Sequence, residues 1–116
     1  MTIREWQDKT DEWIRTIGVR YFDPMTNTVL VMEELGEFAR LMARKYGEQS
    51  FKRKEDEAKV DDNIREELGD LFFVLTCLAN QMDIDLEDVL DNNLKKKTKR
   101  DIDRHRDNEK LKDQGM

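Results

Sequence analysis

The sequence predicts an all-α fold, a bundle of about four helices. It contains one proline and five glycines in 116 residues, too few for the many turns of a β-rich chain. Charged residues make up 41% of the chain and hydrophobic residues 37%, a balance typical of long, charged helices. Apolar residues also recur at helical spacing, which excludes a chain that is disordered throughout.

The first two helices can be placed from their start and stop signals. Residues 2–5, Thr-Ile-Arg-Glu, form a capping box, so the first helix begins at residue 2 or 3 and ends before Gly18. The second helix runs from about Met25 to Tyr46. Its start is marked by Asp23, followed by Pro24 at the first helical position.

The second half of the chain supplies two more helices and a polar tail. Residues 48–59 are charged and predict an exposed loop. The third helix is expected from Asp61 or Asp62 to Met82, and the fourth over 86–100. We therefore assign residues 1–100 to one helical domain and 101–116 to a disordered polar tail. Because so few long helices leave apolar faces uncovered in a monomer, we expect an oligomer that completes the bundle.

Composition excludes several classes of protein. No apolar run approaches the ~20 residues of a membrane span, so we expect no membrane partner. A single cysteine, Cys77, excludes an intrachain disulfide framework, and the charged N-terminus shows no signal peptide, which together favour the reducing cytoplasm. Residues 1–94 carry 12 Lys or Arg against 22 Asp or Glu. Such an acidic body argues against binding a nucleic acid polymer, although residues 95–112 are basic.

Two nearly identical pentapeptides carry the main functional signal: residues 33–37, Glu-Glu-Leu-Gly-Glu, and 66–70, Glu-Glu-Leu-Gly-Asp. Each places two carboxylates on one helical face, Glu34 with Glu37 and Glu67 with Asp70. If the two helices pack antiparallel, the four carboxylates converge, and a divalent cation such as Mg²⁺, Mn²⁺ or Ca²⁺ relieves their repulsion. One explanation for the glycine in each motif is a close approach of backbone or ligand. The alternative, solvated acidic faces, is disfavoured by two matched copies.

These motifs together resemble the signature of the MazG-like, all-α nucleoside triphosphate pyrophosphohydrolases, in particular the short single-domain bacterial members. The resemblance runs from about Trp6 to Arg100. It implies hydrolysis of a nucleoside triphosphate to the monophosphate and pyrophosphate in nucleotide-pool house-cleaning, with Mg²⁺ as cofactor and Mn²⁺ as a substitute. It also implies a homodimer or homotetramer. By this resemblance the metal ligands are Glu34, Glu37, Glu67 and Asp70, while Glu33 and Glu66 are candidates to orient water or a second ion.

Other candidate residues would contact the substrate. Asn93, Lys96 and Arg100 resemble the family's phosphate-binding stretch and lie near one helical face. Their alternative role is a basic helix end that complements the helix dipole. Trp6, Trp13, Tyr21 and Phe22 are candidates to stack on the base. Core packing is the alternative for the two tryptophans, which share a stripe with Ile3 and Ile17.

Two other functions fit part of this pattern. A phosphoribosyl-ATP pyrophosphohydrolase has similar carboxylate motifs. A non-catalytic helical bundle that binds or regulates a partner would share the fold, but it would tolerate Glu37→Gln or Asp70→Asn. An enzyme would lose its metal-dependent turnover with either change and keep its fold.

Overall fold

A computed structural model describes residues 1–112, and within them the chain is all-helical, as the sequence predicts. The helices are α1 (Ile3–Thr16), α2 (Pro24–Tyr46), α3 (Lys54–Ala58), α4 (Val60–Gln81), α5 (Leu86–Arg106) and α6 (Glu109–Lys112). Helices α3 and α6 are short. In this part of the chain, no helix has both the length and the apolar character needed to cross a bilayer.

Local sequence signals set the helix ends. Thr2 Oγ1 accepts a hydrogen bond from the backbone N–H of Glu5 at 3.1 Å, and the Glu5 carboxylate accepts one from Thr2 N–H at 3.2 Å. The Asp23 carboxylate caps α2 by accepting from the Thr26 N–H at 2.8 Å. Helices α1 and α2 have these caps, whereas α4 has no side-chain cap, and all three begin and end within two residues of the predicted positions.

Two segments contain more helix than the sequence predicted. The exposed loop expected over 48–59 includes α3, whose first turn is acidic and complements the helix dipole. The tail expected from residue 101 is helical to Arg106 in α5 and again in α6. Asp101 supports this extension of α5 through ion pairs with Arg100 at 2.7 Å and Arg104 at 3.6 Å. The last four residues of the predicted tail, 113–116, lie outside the described part of the chain.

The helices pack mainly on α4. Helix α2 runs antiparallel to α4. Asn27 near the start of α2 bonds to Gln81 at the end of α4, and Lys45 near the end of α2 pairs with Asp61 near the start of α4. Helix α1 crosses the second half of α4, where Trp6 Nε1 donates to Thr76 Oγ1 at 2.7 Å. The α2–α4 hairpin is therefore the frame that positions both acidic motifs.

Large apolar surfaces stay open. Exposed apolar side chains follow α2, α4 and α5: Met25, Val29, Met32, Leu35, Leu68, Phe72, Leu75, Met82, Val89, Leu90 and Leu94. The radius of gyration is 18.1 Å, whereas a compact chain of this length would have about 13 Å. The open shape matches the expectation that these helices cannot bury their apolar faces within one copy.

Candidate active site

Three carboxylates from two helices meet midway along the α2–α4 pair. Glu34 on α2 and Glu67 and Asp70 on α4 each offer one oxygen, and these oxygens lie within 4.8 Å of one another. Glu34 and Glu67 are half-buried, whereas Asp70 is exposed. Because α2 packs antiparallel on α4, the two motifs lie side by side and their carboxylates can converge.

Glu67 is the member of this cluster whose charged form is least favourable. Its Oε2 atom is enclosed and has no hydrogen-bond partner among the described residues. Burial, the adjacent Glu34 carboxylate, with which Glu67 can share a proton, and the charges of Asp70 and Glu37 raise the pKa of Glu67 from 4.5 to about 7. Ionising Glu67 at neutral pH therefore costs free energy in the folded chain, and a bound positive charge would remove this cost.

The donor set fits a hard divalent cation. Carboxylate oxygens are the ligands preferred by Mg²⁺ and Mn²⁺, and one of those present has an unfilled bonding site at its enclosed oxygen. No cation side chain is bonded to Glu34, Glu67 or Asp70 among residues 1–112. The cluster is therefore neutralised by neither a salt bridge nor a hydrogen-bond donor of this part of the chain.

The other three acidic residues of the motifs lie around the cluster. Glu37 contributes to the negative potential at Glu67, and its own carboxylate lies 3.7 Å from the Arg40 guanidinium. Glu33 and Glu66 are exposed and lie outside the group of three. Of the six acidic side chains, the structure brings three within coordinating distance and leaves Glu37 nearby.

The two motif glycines do not mark a close approach within one copy. A Cβ atom added at Gly36 or at Gly69 would meet no heavy atom within 4 Å in the described residues, leaving aside the glycine's immediate neighbours and its own helix backbone. The expectation of a neighbouring backbone is therefore wrong for a single chain. The space beside both glycines is open, on the same hairpin that carries the carboxylates.

The predicted phosphate-binding residues lie apart from the carboxylates in a single chain. Asn93, Lys96 and Arg100 are exposed on α5, whose packing partner in the body of the protein is α1. The Arg100 guanidinium is paired with Asp101 at 2.7 Å. Within residues 1–112, none of the three has a hydrogen bond or ion pair with the acidic motifs.

The four aromatic candidates separate into two groups. Trp13, Tyr21 and Phe22 line a cavity of about 250 Å³ between α1, α2 and α4. Trp6 does not line it: its indole lies 5.9 Å from the Phe72 ring, centroid to centroid, and donates to Thr76. Trp6 thus takes the packing role that was the alternative for it.

The cavity also contains residues that the sequence reasoning did not single out. They are Ile14, Gly18 and Arg20 from α1 and the segment after it, Asn27 and Leu30 from α2, and Phe73, Val74 and Cys77 from α4. Asn27 is only 4% exposed. Its signal was available, since it precedes Glu34 by seven residues and therefore lies on the same face of α2. Burial raises the pKa of the Cys77 thiol to about 11, so it is a neutral apolar group there.

Comparison with known proteins gives a consistent result. The sequence profile of the MazG nucleotide pyrophosphohydrolase domain matches residues 22–105. YpjD of Bacillus subtilis (strain 168) is 41% identical over 103 residues, which cover 89% of each chain. The crystal structure of B. subtilis YpjD matches with a TM-score of 0.72 and 40% identity, covering 83% of this chain and 94% of that one.

A second solved structure is similar to the same extent. It is the Bacillus-conserved MazG protein, a nucleotide pyrophosphohydrolase, which matches with a TM-score of 0.71 and 34% identity over 89% of this chain and 96% of that one. The family match includes both acidic motifs and the cluster that they form. This chain therefore belongs to the MazG family of nucleotide pyrophosphohydrolases.

Proposed function

We propose that this protein hydrolyses a nucleoside triphosphate between the α and β phosphates, giving the monophosphate and pyrophosphate, and that it requires Mg²⁺. The observation that carries the proposal is the uncompensated cluster of Glu34, Glu67 and Asp70 in a chain of this family. A triphosphate brings further negative charge to a site that is already negative. A site that binds one must therefore also hold cations.

Glu34, Glu67 and Asp70, together with the nearby Glu37, would hold the cation, with Mn²⁺ as a substitute for Mg²⁺. When bound, it would neutralise phosphate charge and assist the attacking water and the leaving pyrophosphate. The protein's own task is then positioning. Four carboxylates on two rigid helices would fix where the phosphates lie, and the exposed Glu33 and Glu66 are the candidates to orient water or a second ion.

A second copy of the chain completes this site. Asn93, Lys96 and Arg100 have no partner at the cluster in their own chain, but they could reach the cluster of a neighbour as phosphate ligands. The exposed apolar faces of α2 and α4 and the open space beside Gly36 and Gly69 favour such a neighbour. We therefore expect a homodimer or a homotetramer.

Pyrophosphate release from a panel of ordinary and modified nucleoside triphosphates tests the proposal, with Mg²⁺ and then with EDTA. Asp70→Asn should abolish release while its circular dichroism spectrum stays that of a folded helical protein. Asp62→Asn is the matched control, since Asp62 is an exposed carboxylate on the same helix and outside the cluster. It should leave the rate unchanged.

Failure of this test would have a defined meaning. No release from any nucleotide, by folded and oligomeric protein, would contradict the proposed substrate class. Turnover of phosphoribosyl-ATP would then identify the related reaction, and its absence would favour a non-catalytic bundle. Activity that survives Asp70→Asn would show that the cluster is not the active site.

A further inference from the structure

The cavity between α1, α2 and α4 lies at a defined distance from the carboxylate cluster. Leu30 and Asn27 precede Glu34 by one and two helical turns, and Phe73 and Cys77 follow Asp70 by one and two turns. At a rise of 1.5 Å per residue, the cavity is centred roughly 8 Å along the hairpin from the cluster. That separation is about one ribose unit, so a nucleotide with its phosphates at the cluster would place its base here.

The walls suit a flat aromatic ring. Trp13 and Phe73 meet edge to face, with centroids 5.7 Å apart, and Phe22 and Leu30 add apolar surface. Tyr21 offers no free proton to a ligand, because its hydroxyl already donates to Asp11 at 2.6 Å. Arg20 also lines the cavity, but it is exposed and its guanidinium donates to the Tyr21 carbonyl at 2.9 Å. The side-chain amide of Asn27 is therefore the buried polar group available to distinguish one base from another.

The orientation of this amide is fixed by its partners. Asn27 Nδ2 donates to the Gln81 Oε1 atom at 2.8 Å and to the Phe22 carbonyl at 3.3 Å. Gln81 Nε2 also donates to the Phe22 carbonyl, so the Gln81 amide cannot turn without losing that bond. Reversing the Asn27 amide would set its oxygen against two acceptors. Asn27 Oδ1 is left as a fixed acceptor, with no donor to it among residues 1–112.

We propose that Asn27 Oδ1 selects the base, accepting a hydrogen bond from an exocyclic amino group, so that cytosine and adenine nucleotides are preferred over their oxo counterparts, uracil and hypoxanthine. The inference rests on the proposed function, since it takes the phosphates to lie at the carboxylates. An oxo group would face the fixed amide oxygen acceptor to acceptor, without a hydrogen bond. Gln81 is a positioning residue that acts by holding the Asn27 amide.

Matched substrate pairs test this preference. CTP against UTP, and ATP against ITP, exchange an amino group for an oxo group at the position in question. The wild-type protein should favour the amino member by roughly tenfold or more in kcat/KM, the cost of one unmade hydrogen bond to a buried group. Calorimetric binding of CMP against UMP should show the same order of preference without any turnover.

The variant Gln81→Leu separates the fixed amide from the cavity itself. It should bring both ratios towards one, because the shorter of the two bonds that hold the Asn27 amide is then gone and reversal costs only the 3.3 Å bond to the Phe22 carbonyl, while CTP turnover stays within a few fold. Met82→Leu, at the neighbouring exposed position, should leave the ratios unchanged.

Each outcome is decisive for the base contact. Equal rates for the pairs, a preference for the oxo members, or unchanged ratios in Gln81→Leu would overturn the inference. So would the absence of any difference in binding between CMP and UMP. The proposed function would survive all of these results as long as pyrophosphate is released, whereas it fails if no nucleotide is cleaved.

Discussion

Glu67→Gln should make the metal-free protein more stable at neutral pH. In the folded state the pKa of Glu67 is raised from 4.5 to about 7, by burial first and by Glu34, Asp70 and Glu37 in addition. Between these two pH values the folded chain keeps a proton that the unfolded chain has released. Unfolding therefore becomes easier as the pH rises through this range.

The magnitude follows from the size of the shift. Each pKa unit corresponds to about 1.4 kcal/mol, and partial solvent exposure reduces the total, which leaves about 2 kcal/mol. Glutamine has a similar shape and no charge, so it removes this penalty. The free energy of unfolding of the variant should equal that of the wild type near pH 4.5 and exceed it by about 2 kcal/mol at pH 8.

Urea unfolding in EDTA at several pH values, at one fixed protein concentration, measures this difference. Addition of Mg²⁺ at 100 times its dissociation constant should then raise the free energy of unfolding of the wild type by about 2.7 kcal/mol, and that of the variant by much less. Asp62→Asn, which changes an exposed carboxylate of the same helix outside the cluster, is the matched control and should behave as the wild type in both measurements. A difference between Glu67→Gln and wild type that does not vary with pH would refute the electrostatic reasoning.

Three further predictions concern the frame around the site. Gly36→Ala should raise the free energy of unfolding of a dissociated chain by up to about 1 kcal/mol, because Ala favours the helix and the added methyl meets open space. Loss of an oligomer in sedimentation would instead show that a second copy fills that space. Gln7→Leu should cost about 2–3 kcal/mol in urea unfolding, since Gln7 bonds to Asn80, the Ile84 carbonyl and the Leu86 N–H, and a neutral result would contradict this role. Asp23→Ala should cost about 1 kcal/mol by removing the cap of α2, whereas Asp23→Asn should keep most of it.

The sequence was sufficient to predict the helices that have strong end signals. The capping box at Thr2 and the Asp23-Pro24 pair act within a few residues, so local rules describe them well. The short helix α3 and the extension of α5 past residue 100 were not predicted, because these segments lack a strong apolar periodicity. The ion pair of Asp101 with Arg104 supports the extension of α5, and the acidic first turn of α3 complements its helix dipole; hydrophobic periodicity detects neither effect.

The candidate site was partly accessible from the sequence. Spacing of three within each motif indicated which carboxylates share a face, and the meeting of Glu34 with Glu67 and Asp70 needed only antiparallel packing. The proposed role of Asn27 rests on a contact with Gln81, 54 positions away, which no local pattern contains. The proposed contact of Asn93, Lys96 and Arg100 with the phosphates requires a neighbouring copy, and neither periodicity nor the fold of one chain can predict such a contact.

The identity of the products shows whether the carboxylate cluster supports hydrolysis between the α and β phosphates. Wild-type protein, Asp70→Asn and Asp62→Asn would each be incubated with Mg²⁺ and the nucleotide that is cleaved fastest, and the products separated by anion-exchange chromatography. Wild type and Asp62→Asn should give monophosphate and pyrophosphate in equal amounts, and Asp70→Asn should give neither product. Diphosphate with inorganic phosphate, or equal product formation by Asp70→Asn, would contradict the proposed function.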